Sequence, residues 1–310
     1  MTADFIRYLA AKRTVDDRAL NRGVWEALTQ ALPGERPVDV LELGAGIGTM
    51  IERCLEWHLL NTARYTALDV DPGYLAAAQA RMRGWAERQG WQVGGTRPGE
   101  LRLEGEGRRL DLEFEVTDAF VYAESHRGRR AWDLLIAHAF LDLVDIPAVL
   151  PALLALLRPG GLFYFTITFD GVTSFQPEID QNFDALVEAC YHETMDRRLI
   201  DGRPSGDSRS GRHLFGHLQA AKATVLAAGA SDWVVFPQHG RYAGDEAYFL
   251  HFIVNTLNTA LAGPSAGPLA GHSALDPDRL ASWVAARHRQ IDSGELVYVA
   301  HQLDVAGRVG

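Results

Sequence analysis

Cysteine is almost missing from this chain: Cys54 and Cys190 are the two in 310 residues, far apart and in neither a CxxC nor a Cys/His spacing. No disulfide framework and no metal site are therefore expected. Positive charge is also short, with 30 Lys and Arg against 40 Asp and Glu and a formal net charge of −10. The average field of such a chain repels a phosphate backbone, so no nucleic-acid partner is expected. The densest basic cluster, His126-Arg127-Gly128-Arg129-Arg130, reads as a solvated connector. No apolar run approaches the ~20 residues of a membrane span. The opening Met1-Thr2-Ala3-Asp4-Phe5-Ile6-Arg7 lacks the basic-then-apolar pattern of a signal peptide, so no membrane partner and a cytoplasmic location are expected.

What is present is an ordinary globular composition, 47% hydrophobic and 23% charged, in a chain long enough for one mixed α/β domain carrying insertions. Residues 4–32 place apolar side chains at helical spacing and predict two amphipathic helices with a break near Thr14. Short apolar runs then alternate with helical patterns. Strands are expected at 38–43, 65–69, 112–116, 132–137, 161–169, 233–236 and 296–303, and helices at 72–88, 146–157 and 212–228. Strand and helix taking turns predicts βαβ units wound into a mostly parallel sheet of seven strands. Residues 100–104 alternate and suggest a small hairpin inside the long connection 89–110. The expected organisation is one domain over 1–310: a helical cap at 1–37, a core at 38–170, and helical insertions at 171–210 and 240–293 that form a lid or substrate wall. The second insertion holds helical patterns at 245–261 and 276–290, split by a Gly/Pro/Ser/Ala linker at 262–273.

The chemistry is concentrated where strands end. Glu42-Leu43-Gly44-Ala45-Gly46-Ile47-Gly48-Thr49 runs from an apolar strand into a helix, and glycines there let the backbone turn sharply and approach a nucleotide-like ligand beside a helix N-terminus. Asp69 closes the second strand, about twenty residues on, where a carboxylate can accept both hydroxyls of a ribose; Asp71 is better placed to cap the helix opening at Pro72. After the third strand, Asp118 can accept from an adenine amino group and Phe120 can flank the ring. As a turn residue, Asp118 has a purely structural alternative.

These residues resemble the class I S-adenosylmethionine-dependent methyltransferase family. Residues 38–48 are similar to its first motif, E/D-x-G-x-G-x-G, residues 65–72 to the second, and 117–120 to the third. Leu156-Leu157-Arg158-Pro159-Gly160-Gly161 is similar to the turn before the fifth strand. The resemblance implies a doubly wound seven-stranded sheet with an antiparallel last strand, and S-adenosyl-L-methionine as cofactor. It makes Glu42, Gly44, Ala45, Gly46, Gly48, Asp69, Val70, Asp118, Ala119, Phe120 and His138 the expected cofactor contacts. In that family the last two strands usually form a tight hairpin, whereas here a long stretch separates Phe236 from Leu296. A nicotinamide dinucleotide would want G-x-G-x-x-G, and the third glycine here comes one residue early.

Methyl transfer from a sulfonium relies on alignment and desolvation, and needs a general base only where the acceptor must lose a proton. His138, after the fourth strand, is the expected catalytic residue, as base or substrate orienter; packing against the cofactor is its alternative. Asp142 and Asp145 are expected to orient it or to cap the helix at Pro147. Arg212 and His213, at a helix N-terminus, are candidates for an anionic acceptor, Tyr191 for a lid contact, and the stretch Lys12-Arg13-Thr14-Val15-Asp16-Asp17-Arg18 for the cofactor carboxylate, with a solvated helix junction as its alternative. The acceptor is expected to be a small molecule. The oligomeric state stays open, a homodimer among the options, and the alternatives to a methyltransferase are a nicotinamide-dependent oxidoreductase and a non-catalytic binding module.

Overall fold

Residues 38–43 are buried at every position, as a parallel strand covered on both faces must be. The structure, a computed structural model, describes residues 2–34, 36–95, 97–129, 132–200, 202–262 and 275–310. Nearly all of the expected linker at 262–273, and Arg130 of the basic cluster, lie outside the described residues.

The chain opens with helices α1 (Thr2–Ala19) and α2 (Arg22–Ala31), then alternates through β1 (Val38–Leu43), α3 (Thr49–Glu56), β2 (Thr62–Asp69) and α4 (Pro72–Gln89). A meander of β3 (Gln92–Gly94), β4 (Glu100–Gly105) and β5 (Arg108–Val116) follows, then α5 (Ala119–Ser125), β6 (Trp132–His138), α6 (Ile146–Leu154) and β7 (Leu157–Gln176). The remainder is α7 (Gln181–Asp196), a hairpin of β8 (Leu199–Ile200) and β9 (Arg203–Pro204), α8 (Ser210–Ala220), β10 (Thr224–Ala230), β11 (Trp233–Val235), α9 (Glu246–Ala262), α10 (Pro277–Asp292) and β12 (Val297–Arg308).

One mixed sheet holds ten of these strands in the order β10-β12-β7-β6-β1-β2-β5-β4-β3, with β11 pairing β12. Strands β7, β6, β1, β2 and β5 run parallel, and β12 runs antiparallel to both β7 and β10. Chain order reverses at β1, which lies between β2 and β6, and that switch opens a crevice at the carboxyl ends of the strands. Alternation along the strands separates two cores. Leu41, Leu43, Leu135, Phe163 and Phe165 face α5, α6 and α8, while Val40, Tyr65, Leu134, Ile136 and Tyr164 face the helices of the other side. Each fully buried side chain of this size contributes about 1.5–3 kcal/mol.

The doubly wound α/β sheet with β12 antiparallel is as expected from the resemblance, and the differences have local causes. The sheet has more than seven strands partly because residues 100–104, expected as a small hairpin, instead lie in the single strand β4, which pairs onto β5 and carries β3 at the edge. Residues 224–228, read as the end of a helix and rich in alanine, belong to β10: Lys222 turns into the left-handed region (φ 57°) after α8, and the strand pairs along β12 from Thr224 to Ala230. Tertiary pairing overrides alanine's helix preference here. The break expected near Thr14 does not occur; α1 runs through it to Ala19, and Asn21 caps α2 by accepting from Val24 N. β7 reaches Gln176, well past 169, and pairs with residues 297–300 of β12. These two long strands leave the sheet's carboxyl edge and become a wall of the crevice.

Candidate functional site

The turn after β1 is built on three left-handed glycines, Gly44, Gly46 and Gly48, with φ of 63°, 53° and 75°. A Cβ on Gly44 would stand 2.8 Å from the Phe140 ring, so the backbone lies close under that aromatic. Gly48 has another use: a Cβ there would meet Ala78 at 3.1 Å, so its bareness lets α3 close onto α4. Beside the turn, Gly46 N donates to Asp69 Oδ2 at 2.9 Å, and Asp71 N donates to Asp69 Oδ1 at 3.0 Å. Asp71 caps α4 by accepting from Gly73 N at 2.7 Å, which leaves Asp69 at the crevice.

A cavity of about 510 Å³ occupies the carboxyl ends of β1, β2 and β6 beneath α1, α7 and α9. Its floor is the glycine turn with Glu42, Asp69 and Val70, and its walls are largely aromatic: Phe5, Tyr8, Tyr74, Phe140, Phe169, Tyr191, Trp233, Phe252 and Tyr298. Glu42 is fully buried and accepts from Tyr65 Oη at 2.8 Å. Burial pushes its carboxyl up to about 8, although Tyr65 and Arg53 favour the charged form.

A buried ionic cluster joins α1 to β6 at one end of this cavity. Asp16 meets Lys12 Nζ at 2.6 Å, His138 Nε2 at 3.0 Å and Arg53 Nη2 at 3.5 Å, and accepts from Trp233 Nε1 at 2.9 Å. Burial alone would raise the Asp16 carboxyl; Lys12, His138 and Arg53 reverse this and hold it below the usual carboxylate range. His138 Nδ1 lies 2.8 Å from Thr166 Oγ1. Both ring nitrogens are thus engaged, and burial pushes the imidazole down to about 4, so the ring is neutral near pH 7.

Glu42, Gly44, Ala45, Gly46, Asp69, Val70, His138 and Tyr191 all line the cavity. The other expected contacts lie elsewhere. Asp118 accepts from Phe120 N at 2.8 Å and Val121 N at 3.0 Å as the cap of α5, its structural alternative. Neither it nor Ala119 or Phe120 lines the cavity, although Phe120 stands 6.3 Å from Phe140, which does. Arg13 points to α3, where Glu52 and Glu56 bind it. Arg212 is held by Asp170 at 2.8 Å and His213 by Asp207 at 3.1 Å, so neither faces the cavity. Asp145 precedes α6 without a side-chain cap bond. Of the other charged lining residues, Lys12 and Asp16 belong to the stretch 12–18 expected to meet the cofactor and Asp142 was expected to orient His138 or cap a helix, whereas Arg198 and Asp207 were not picked out. Among the described residues, no group of three His, Cys, Asp or Glu is placed to hold a metal ion, and no helix is long and apolar enough to cross a membrane.

Residues 41–163 match the family model for a methyltransferase domain. No curated protein matches the sequence. Among solved structures, the chain is similar to phosphoethanolamine N-methyltransferase 2 of Haemonchus contortus, in complex with phosphomonomethylethanolamine and S-adenosylhomocysteine, at 13% identity and a TM-score of 0.43; the match covers 93% of this chain and 52% of that one. This chain thus spans about half the length of that enzyme. It is also similar to the YcgJ protein of Bacillus subtilis, at 11% identity, 93% and 99% coverage and a TM-score of 0.47. A third likeness is geranyl diphosphate C-methyltransferase of Streptomyces coelicolor, at 10% identity, 94% and 77% coverage and a TM-score of 0.44. The stretch that matches the methyltransferase-domain model takes in the glycine turn, Asp69 and His138.

Proposed function

We propose that the chain binds S-adenosylmethionine in the 510 Å³ cavity and transfers its methyl group to a small molecule held between the core and the helical insertions. The observation that carries this reading is the meeting of Asp69 with the glycine turn, a carboxylate fixed beside bare backbone at the topological switch of the sheet. The residues fit such an occupant. Asp69 retains lone pairs for ribose hydroxyls, and Gly44 and Gly46 line the cavity with backbone that carries no side chain. Bound there, S-adenosylmethionine supplies an electrophilic methyl group on a positively charged sulfur. The aromatic walls exclude water and hold two partners in line, which is most of what a displacement requires. Cys54 and Cys190 are free and buried, in keeping with a reducing cytoplasm.

Five acids line the cavity against Lys12 and Arg198, a balance that does not favour a strongly anionic acceptor. α7, α9 and the outer halves of β7 and β12 contribute Tyr191, Met195, Phe252, Thr173 and Tyr298 to the wall, and they form the acceptor side. Calorimetric titration tests the reading: S-adenosylhomocysteine releases heat at a 1:1 stoichiometry and NAD does not. Heat with NAD alone would reassign the cavity to a nicotinamide-dependent oxidoreductase.

A further inference from the structure

The five cavity acids are Asp16, Glu42, Asp69, Asp142 and Asp207, and four of them are matched. Asp16 sits in its ionic cluster, Glu42 accepts from Tyr65, Asp69 accepts from two backbone amides, and Asp207 accepts from Arg209 N and meets His213. Asp142 differs. Among the described residues neither of its carboxylate oxygens takes a well-formed hydrogen bond, and Oδ1 is shut off from solvent without a partner. The backbone amides of Asp142 and Phe169 and the charges of Arg198 and Lys12 favour its ionised form without outweighing burial. Oδ2 is not shut off in this way, and as an unbonded carboxylate oxygen in the cavity wall it is the atom that a ligand's donor can reach.

The surroundings fix it in that position. Asp142 lies in the 3-10 turn Leu141–Leu143 that follows β6, and the loop after α7 clamps this turn: Arg198 Nη2 donates to Asp142 O at 2.8 Å, and Ser205 Oγ donates to Leu143 O at 2.7 Å. The titratable groups facing it are Lys12 and Tyr8 from α1, Tyr191 from α7, and Arg198. Lys12 is committed to Asp16, Arg198 to Ser205 and main-chain carbonyls, and burial raises both tyrosines so that they stay neutral. His138 has both ring nitrogens engaged.

We propose that Asp142 is the base of the acceptor half of this cavity, and that the acceptor is a compact, largely apolar molecule presenting an N–H or O–H nucleophile to it. This rests on the reading that the cavity binds S-adenosylmethionine. The acceptor's proton passes to the Asp142 carboxylate and the lone pair it leaves forms the bond to the methyl carbon. The carbon–sulfur bond breaks with both electrons on sulfur, giving S-adenosylhomocysteine, and Asp142 returns its proton to water. Burial raises the Asp142 carboxyl above the ordinary carboxylate range, which makes it a stronger base than an exposed aspartate.

The test uses the full chain saturated with S-adenosylhomocysteine, with benzyl alcohol, benzylamine and benzyl methyl ether as probes and saturation-transfer NMR as the readout. In the wild-type protein the alcohol or the amine binds at least about tenfold more tightly than the ether, which has the ring but no proton to give. Asp142→Asn and Asp142→Ala lose that preference while binding S-adenosylhomocysteine as before. Equal binding of ether and alcohol, an undiminished preference in both variants, or no binding of any probe would overturn the assignment. Loss of S-adenosylhomocysteine binding in the wild type would instead remove the cofactor reading beneath it. The comparison within the wild type decides the matter even where a variant fails to fold.

Discussion

Gly46 and Asp69 are joined by one hydrogen bond, from the amide of the first to Oδ2 of the second at 2.9 Å, and this bond ties the turn after β1 to the end of β2. It means that the carboxylate is already oriented before any ligand arrives, its second oxygen held by Asp71 N. Asp69→Ala removes both the acceptor for two ribose hydroxyls and the brace of the turn. Two hydrogen bonds to a charged group, each worth about tenfold, predict about 100-fold weaker binding of S-adenosylhomocysteine by calorimetry, with the far-ultraviolet circular dichroism unchanged. Binding within a factor of three of wild type would mean that Asp69 serves the turn alone.

The two parts of the site differ in how far the sequence revealed them. The glycine turn and Asp69 were legible because local backbone needs write themselves into local sequence: a positive φ selects glycine, and a cap selects Asp71. Asp118 was ambiguous for the same reason, since capping α5 and accepting from a ligand use one residue type. The stretch 12–18 and Asp142 were singled out without their actual partners, because the contact of Asp16 with His138 and the place of Asp142 depend on how α1 and the turn after β6 pack, segments far apart in sequence. In the fold, the five parallel strands followed from apolar runs, whereas β10 was lost to its alanines and gained its identity from pairing with β12. The α/β class is a matter of periodicity; the edge strands are a matter of neighbours.

Gly44→Ala tests the approach of the backbone to Phe140. The new methyl would stand 2.8 Å from Phe140 Cδ2 at a residue with φ of 63°, so either the ring or the turn must move. A left-handed alanine costs about 1–2 kcal/mol by itself, and the expected outcome is a lower melting temperature together with weakened S-adenosylhomocysteine binding. A variant that melts and binds like wild type would show that this turn tolerates a side chain and is not fitted to a ligand.

Glu42 predicts a pH dependence on the alkaline side. Its carboxyl is raised to about 8 in the folded, ligand-free protein by burial and lies near 4.5 when unfolded. The folded state therefore holds the proton more tightly, so stability is full below pH 4.5 and declines as pH rises toward 8. Glu42→Gln, which keeps an acceptor for Tyr65 Oη, abolishes that decline. Urea unfolding at pH 7.5 is expected to show the variant more stable by on the order of 3 kcal/mol. Equal stability at pH 7.5 would show that Glu42 ionises normally.

Asp16 holds the cluster between α1 and β6, and its replacement separates pairing from packing. Asp16→Asn keeps the volume and an oxygen for Trp233 Nε1, but leaves the buried Lys12 without its counter-charge, while Arg53 keeps Asp17. Removing one member of a buried ion pair costs about 3–5 kcal/mol, read as a lower midpoint in urea. Lys12→Met combined with Asp16→Asn should recover part of the loss, because an apolar partner needs no counter-charge. A double variant less stable than Asp16→Asn alone would show that Lys12 contributes independently of the pair.

His138 acts on the acid side with the opposite sign. Burial lowers its imidazole to about 4, against 6.5 when unfolded, so the unfolded chain takes up the proton first. Its contribution is complete above pH 6.5 and falls away as the pH drops toward 4, by about 2 kcal/mol at pH 5. His138→Gln can accept from Thr166 through Oε1 and donate to Asp16 through Nε2, so the network persists without a group that titrates. The Glu42 trend is common to both proteins over this window, and the difference between them isolates the histidine. The variant is expected to lose less stability between pH 7 and pH 5 than wild type does. If both lose the same amount, His138 protonates freely in the folded state and its ring nitrogens are not held as the structure has them.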